Sequence, residues 1–117
     1  MSADFIVAKG DLLPVFPFQC RYESGAFVDL TGTTVKFVME IEGGTTPKID
    51  TATGVSILNP VLDPGSLLAH GTYTWSGTDT DTPGDYIAWI VVTFPSGKKL
   101  HCPNSEAYLR IQVTAVP

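Results

Sequence analysis

Thr34-Val35-Lys36-Phe37-Val38-Met39-Glu40-Ile41-Glu42 is the stretch that decides the fold class. Val35, Phe37, Met39 and Ile41 recur at every second position, while Lys36, Glu40 and Glu42 fall between them. Successive side chains of a strand point to opposite faces, so this period of two predicts a strand with one dry side and one wet side. The period returns at Leu109, Ile111 and Val113, which alternate with Arg110, Gln112 and Thr114. Phe16, Phe18, Cys20 and Tyr22 again share a face. Pro14 and Pro17 cannot donate to a ladder, which predicts an edge or a bulge there. The run from Asp85 to Phe94 is apolar on both faces at its centre, and such a run predicts a central strand covered on both sides.

Turn signals separate these runs. Glu23-Ser24-Gly25 predicts a hairpin tip, Thr31-Gly32-Thr33 a polar turn, and Gly43-Gly44-Thr45-Thr46-Pro47 the end of the deciding strand. Pro64-Gly65 and Pro83-Gly84 mark further breaks, and Pro95-Ser96-Gly97 predicts a tight hairpin. Pro64 to Ala69 is the one segment that could hold a single helical turn. About eight short strands at close spacing predict an antiparallel sandwich or barrel. No internal repeat and no low-complexity stretch is present.

The 117 residues suffice for one domain, 1–117, and leave no room for a second core. Hydrophobic residues make up 44% and charged residues 16%, which excludes a disordered chain. Net charge is -5 with seven scattered basic residues, of which only Lys98-Lys99 are adjacent. Binding nucleic acid through phosphates needs clustered Lys and Arg, so no nucleic-acid partner is expected. The longest apolar stretch, Ile87 to Val92, is far below the ~20 residues of a membrane helix. Met1-Ser2-Ala3-Asp4-Phe5 has neither the basic start nor the apolar run of a signal peptide. Without such a signal, Cys20 and Cys102 are expected to be buried free thiols rather than a disulfide.

One local motif carries a fold-level meaning. Pro83-Gly84-Asp85-Tyr86 at the entry to the central run matches the corner where immunoglobulin-like sandwiches turn a Tyr hydroxyl back onto upstream backbone. Ala88 stands two residues later, where antibody domains have a disulfide cysteine, so Trp75 and Trp89 are the expected packing mass. The order Val28-Asp29-Leu30-Thr31-Gly32-Thr33-Thr34-Val35-Lys36-Phe37, then Gly71-Thr72-Tyr73-Thr74-Trp75, then Asp79-Thr80-Asp81-Thr82-Pro83-Gly84-Asp85-Tyr86 is distinctive as a set. With Val92-Thr93-Phe94-Pro95-Ser96-Gly97-Lys98-Lys99 and Tyr108-Leu109-Arg110-Ile111, it resembles the N-terminal domain of the upper baseplate protein family of lactococcal-type siphophages, over residues 8 to 114. The resemblance implies an all-β, immunoglobulin-like antiparallel β-sandwich that serves as a structural part of a tailed-phage virion. Because the chain ends at Pro117 without the receptor-binding extension of that family, a neck, tail or capsid-decorating subunit is expected.

No catalytic, cofactor-binding or metal residue is expected. His101 and Cys102 are adjacent and face opposite ways on a strand, so they cannot readily share a metal. Asp79, Asp81, Asp85 and Asp63 could supply oxygens to Ca²⁺, but they lack a calcium-loop spacing and read more simply as turn residues. Tyr73, Trp75, Trp89 and Phe94 could form a sugar-stacking platform, but Trp89 lies among apolar neighbours, and Tyr73 and Trp75 share a strand face that reads as inward. Lys98-Lys99 reads as a solvated hairpin arm or as a basic contact for an acidic partner. Residues 1–10, with Phe5, Ile6 and Val7, are either an arm that adds a strand to a neighbour or the first strand of the chain's own sheet. The expected function is therefore non-enzymatic, with other phage structural proteins and further copies of the chain as partners in the virion. The rival is a module that binds carbohydrate or a host surface.

Overall fold

The computed structural model describes residues 5–22, 24–102 and 109–115. Glu23, Ser2–Asp4 and Tyr108, which enter the expectations above, lie outside them. Nine strands are present among the described residues: β1 (Phe5–Ala8), β2 (Phe16–Phe18), β3 (Thr34–Ile41), β4 (Ile49–Thr51), β5 (Val55–Ile57), β6 (Gly71–Tyr73), β7 (Gly84–Thr93), β8 (Lys99–Cys102) and β9 (Leu109–Thr114). They form a six-stranded sheet, in the order β1-β9-β7-β3-β4 with β8 also on β7, and a three-stranded sheet, β2-β6-β5. The chain is an all-β domain of two packed sheets.

The two-faced apolar run became β7, the centre of the larger sheet. One of its edges pairs with β3 from Tyr86 to Thr93, and the other pairs first with β9 and then with β8. The β7–β8 hairpin closes where Pro95-Ser96-Gly97 predicted: Gly97 N–H donates to the Phe94 carbonyl at 2.8 Å, with Gly97 at a positive φ of 88°. Pro17 sits in β2, which among the described residues is an edge strand paired only to β6, so no second ladder requires its N–H. The expected antiparallel pairing holds except at one place. β1 runs parallel to β9, Phe5 opposite Ile111 and Ala8 opposite Thr114, so the larger sheet is mixed. Phe5–Ala8 thus lies in the chain's own sheet.

The core lies between the inner faces. Val35, Phe37 and Met39 on β3, Tyr86, Ala88, Ile90 and Val92 on β7, and Ile111 and Val113 on β9 meet Phe16, Phe18, Tyr73 and Trp75 from the other side. An aromatic knot joins the two sheets. Phe37 of β3 stacks on Tyr73 of β6 with centroids 4.4 Å apart, and Trp75 packs edge-on to both at 5.9 and 5.5 Å. Such pairs add about 0.5–1.5 kcal/mol each beyond the area they bury. The Trp75 indole N–H donates to the Pro14 carbonyl at 2.9 Å, so its polar edge is not stranded.

Four expectations need correction. Trp89 is half-buried on the outer face of β7, opposite Val38, because the inner positions of that strand are Tyr86, Ala88, Ile90 and Val92. Ile41 and Tyr22 keep the predicted alternation but are 47% and 43% exposed, being at strand and hairpin ends where the opposite sheet no longer covers them. Val38, on the side read as wet, is buried, sharing that outer face with Trp89 and Val91. Pro64 to Ala69 holds a turn, Ser66 N–H to the Asp63 carbonyl, and no helix.

Candidate functional site

Tyr86 opens β7 and directs its hydroxyl back to the Thr82 carbonyl at 2.7 Å, while its ring fills the core. Burial raises its pKa. Gly84, two residues earlier, begins β7 with φ 157°. The predicted corner is present.

The aspartates do not converge. Asp79 Oδ2 accepts from the Tyr73 hydroxyl at 2.6 Å and from the Ser76 N–H at 2.9 Å, which closes the turn after β6. Burial, and then the Asp79 carboxylate, push the Tyr73 hydroxyl well above its ordinary value. Asp81 instead pairs with Lys48 at 2.7 Å and accepts from the Thr82 hydroxyl at 2.9 Å. Those hydrogen bonds hold its carboxyl below the usual range. No group of three or more His, Cys, Asp or Glu able to hold a metal occurs among the described residues. A shallow cleft of about 330 Å³ opens beside this turn, lined by Lys48, Asp50, Thr51, Tyr73, Ser76 and Asp79 among others.

The aromatic residues are mostly unavailable to a ligand. Tyr73 and Trp75 are 1% and 2% exposed, and Phe94 packs against the core. His101 is exposed and Cys102 buried, so the two do face opposite ways. Lys98 and Lys99 are exposed on the β7–β8 hairpin.

Sequence reasoning passed over His70. It is fully buried, and its Nδ1 accepts the Cys20 N–H at 2.8 Å. Nε2 must then carry the ring proton, which it donates to the Val28 carbonyl at 2.9 Å. The Phe18 carbonyl takes the His70 N–H at 2.9 Å. One imidazole thus ties together the chain after β2, the Val28 segment and the entry to β6. Burial lowers its pKa, with the Arg21 charge adding to that effect and the Val28 bond opposing it. Both ring nitrogens are occupied, so His70 is not free to act as a base for the nearby thiols. No local pattern marks it, since a single His before a Gly carries no period.

The connection from β5 to β6 was marked only by its Pro64-Gly65 break and by the possible turn from Pro64 to Ala69. Leu58, Val61 and Leu68 are each 61% exposed there and Leu67 is 97% exposed. The ends of this connection are tied together: Leu58 and Asn59 N–H both donate to the His70 carbonyl, and the Asn59 side chain donates to the Ala69 carbonyl at 2.9 Å. Gln19 holds it from outside through the Ser66 and Leu68 carbonyls. Asp63 is its only acidic residue, and it has no Lys or Arg. The loop is thus braced at its ends while it leaves Leu58, Val61, Leu67 and Leu68 in water. Its leucines could have been seen in the sequence, but nothing there showed which way they point.

No family model, no curated protein and no solved structure matches the chain.

Proposed function

We propose that the chain is a non-enzymatic structural subunit of a tailed-phage virion, a neck, tail, baseplate or capsid-decorating part that acts through protein–protein contacts. The observation that carries this reading is the braced, leucine-bearing connection between β5 and β6. Solvent-exposed Leu58, Val61, Leu67 and Leu68 favour contact with an apolar patch of another subunit. Many copies in a symmetric particle turn such modest contacts into firm attachment.

The sandwich itself is proposed to be immunoglobulin-like. Two features support this: the order β1-β9-β7-β3-β4 facing β2-β6-β5, and Tyr86 at the start of β7 with its hydroxyl on backbone four residues upstream. The carbohydrate-binding alternative needs an aromatic platform in water, and Tyr73 and Trp75 are instead inside.

The test uses particles produced from the genome that encodes the chain. Mass spectrometry of purified particles should find the chain in a fixed copy number. A Leu67→Asp/Leu68→Asp variant should keep its Tm and be missing from the particles. Particles of full composition that lack the chain altogether would refute the reading.

A further inference from the structure

The two ends of the sandwich differ, and each leaves apolar side chains in water. β7 runs about 30 Å, at the usual rise of a strand, from Gly84 at one end to Thr93 at the other. The Thr93 end brings the connection after β5 together with two turns. Leu30 N–H donates to the Pro60 carbonyl at 2.9 Å, and a Cβ on Gly32 would meet the Pro95 ring of the β7–β8 hairpin at 3.9 Å. Leu58, Val61, Leu67 and Leu68 are thus accompanied by Lys98 and Lys99 of that hairpin. Arg21 joins them, since its guanidinium donates to Gln19, which itself holds the Leu68 carbonyl at 2.7 Å. The Gly84 end has its own patch. Ile41 stands there opposite Tyr86, and Leu12 and Leu13, the latter 71% exposed, lie on the segment held by two bonds. These run from the Thr80 hydroxyl to the Asp11 carbonyl and from the Trp75 indole to the Pro14 carbonyl. The charges at the two ends are opposite in sign. Among the described residues, Arg21, Lys98 and Lys99 outnumber Asp29 and Asp63 at the Thr93 end. At the Gly84 end Glu42 is paired with Arg110 and Asp81 with Lys48, which leaves Asp11, Asp79 and Asp85 against Lys9.

We propose that the chain associates with itself head to tail, the apolar residues of the 58–68 connection of one copy seated on Leu12 and Leu13 of the next. The inference rests on the subunit reading above, whose contact is the same connection, and names the partner as a second copy of the chain. A two-fold contact would set one patch against itself. It would bring Arg21, Lys98 and Lys99 toward their own like charges and leave the patch at the Gly84 end in water. The head-to-tail contact covers both patches and sets a positive rim against a negative one. Because the two contacting surfaces are unlike, every pair still has one free end of each kind. Copies therefore add until the rotation between neighbours closes a ring or carries on as a helix.

The test follows the purified chain, without other particle components, by analytical ultracentrifugation up to about 1 mM. The unaltered chain should form assemblies that grow with concentration and pass beyond a dimer. Leu67→Asp/Leu68→Asp spoils one end and Leu13→Asp the other; each should keep the Tm and sediment as a monomer where the unaltered chain assembles. The double variant should weaken association about a hundredfold. Mixed together, the two variants should form a one-to-one pair and nothing larger, because only one intact end of each kind is left. Lys98→Glu/Lys99→Glu should weaken association about tenfold. An unaltered chain that stays monomeric, a dimer of Leu13→Asp alone, or a mixture without pairs would each overturn the proposal, as would a charge reversal that leaves association unchanged. A chain present in particles at fixed copy number that never self-associates would sink this inference and leave the virion reading standing. A chain that assembles alone but is missing from particles would do the reverse.

Discussion

Replacing Tyr86 with Phe removes one hydroxyl and leaves the ring that fills the core. The hydroxyl donates to the Thr82 carbonyl at 2.7 Å, and the residue is only 2% exposed. Thr82 is exposed, so water can reach its freed carbonyl and the loss is that of one ordinary hydrogen bond, about 1 kcal/mol. A domain of 117 residues has an unfolding entropy of about 0.25 kcal/mol/K at its midpoint, so Tm should fall by about 4 °C. Urea unfolding followed by circular dichroism should show a lower midpoint with an unchanged m-value. Tyr86→Ala, which also empties the ring's place, should cost about 3–5 kcal/mol. A Tyr86→Phe midpoint equal to that of the unaltered chain would refute the reasoning, because the corner would then be held by the ring alone. A loss as large as that of Tyr86→Ala would refute it too.

Phe37→Ala should destabilise by about 3–5 kcal/mol, since it takes one partner from the stack on Tyr73 and opens a cavity between the sheets; urea midpoints measure it. Gly71→Ala should cost about 1–3 kcal/mol in the same assay. Its new Cβ would press on the Ser56 carbonyl and lie 3.0 Å from the Phe18 ring, in a strand with no room to shift. His70 makes stability fall on mild acidification. Its folded pKa lies below the ordinary 6.5, so below that pH the unfolded chain takes up a proton that the folded chain refuses. Stability should be level above pH 6.5 and decline from there toward pH 5, and the decline should vanish in His70→Gln if that variant folds. A flat profile in the unaltered chain would contradict the buried neutral imidazole.

Much of the architecture was legible because β3 and β9 alternate apolar and polar residues along most of their length. The parity of Val35, Phe37 and Met39, and of Ile111 and Val113, was enough to place their faces correctly. Trp89 was misplaced where that parity fails, in a strand apolar on both sides. Tyr86 and Trp89 are three apart on one strand, so they cannot both face inward. Once the corner fixed Tyr86 inside, Trp89 had to be outside. The parallel seating of β1 on β9 joins opposite ends of the chain and leaves no local trace. His70 and the outward leucines after β5 depend on where a long connection folds back, and periodicity says nothing about that. Cys20 and Cys102 were legible as buried free thiols.

Amide hydrogen exchange, compared between the free chain and the chain assembled in particles, tests the central claim most directly. Amides of β3 and β7 should be protected in both states, while those of Val61, Gly65, Leu67 and Leu68 should become slow only on assembly. Equal exchange of these four amides in the two states would contradict the claim that this connection is where the subunit is held.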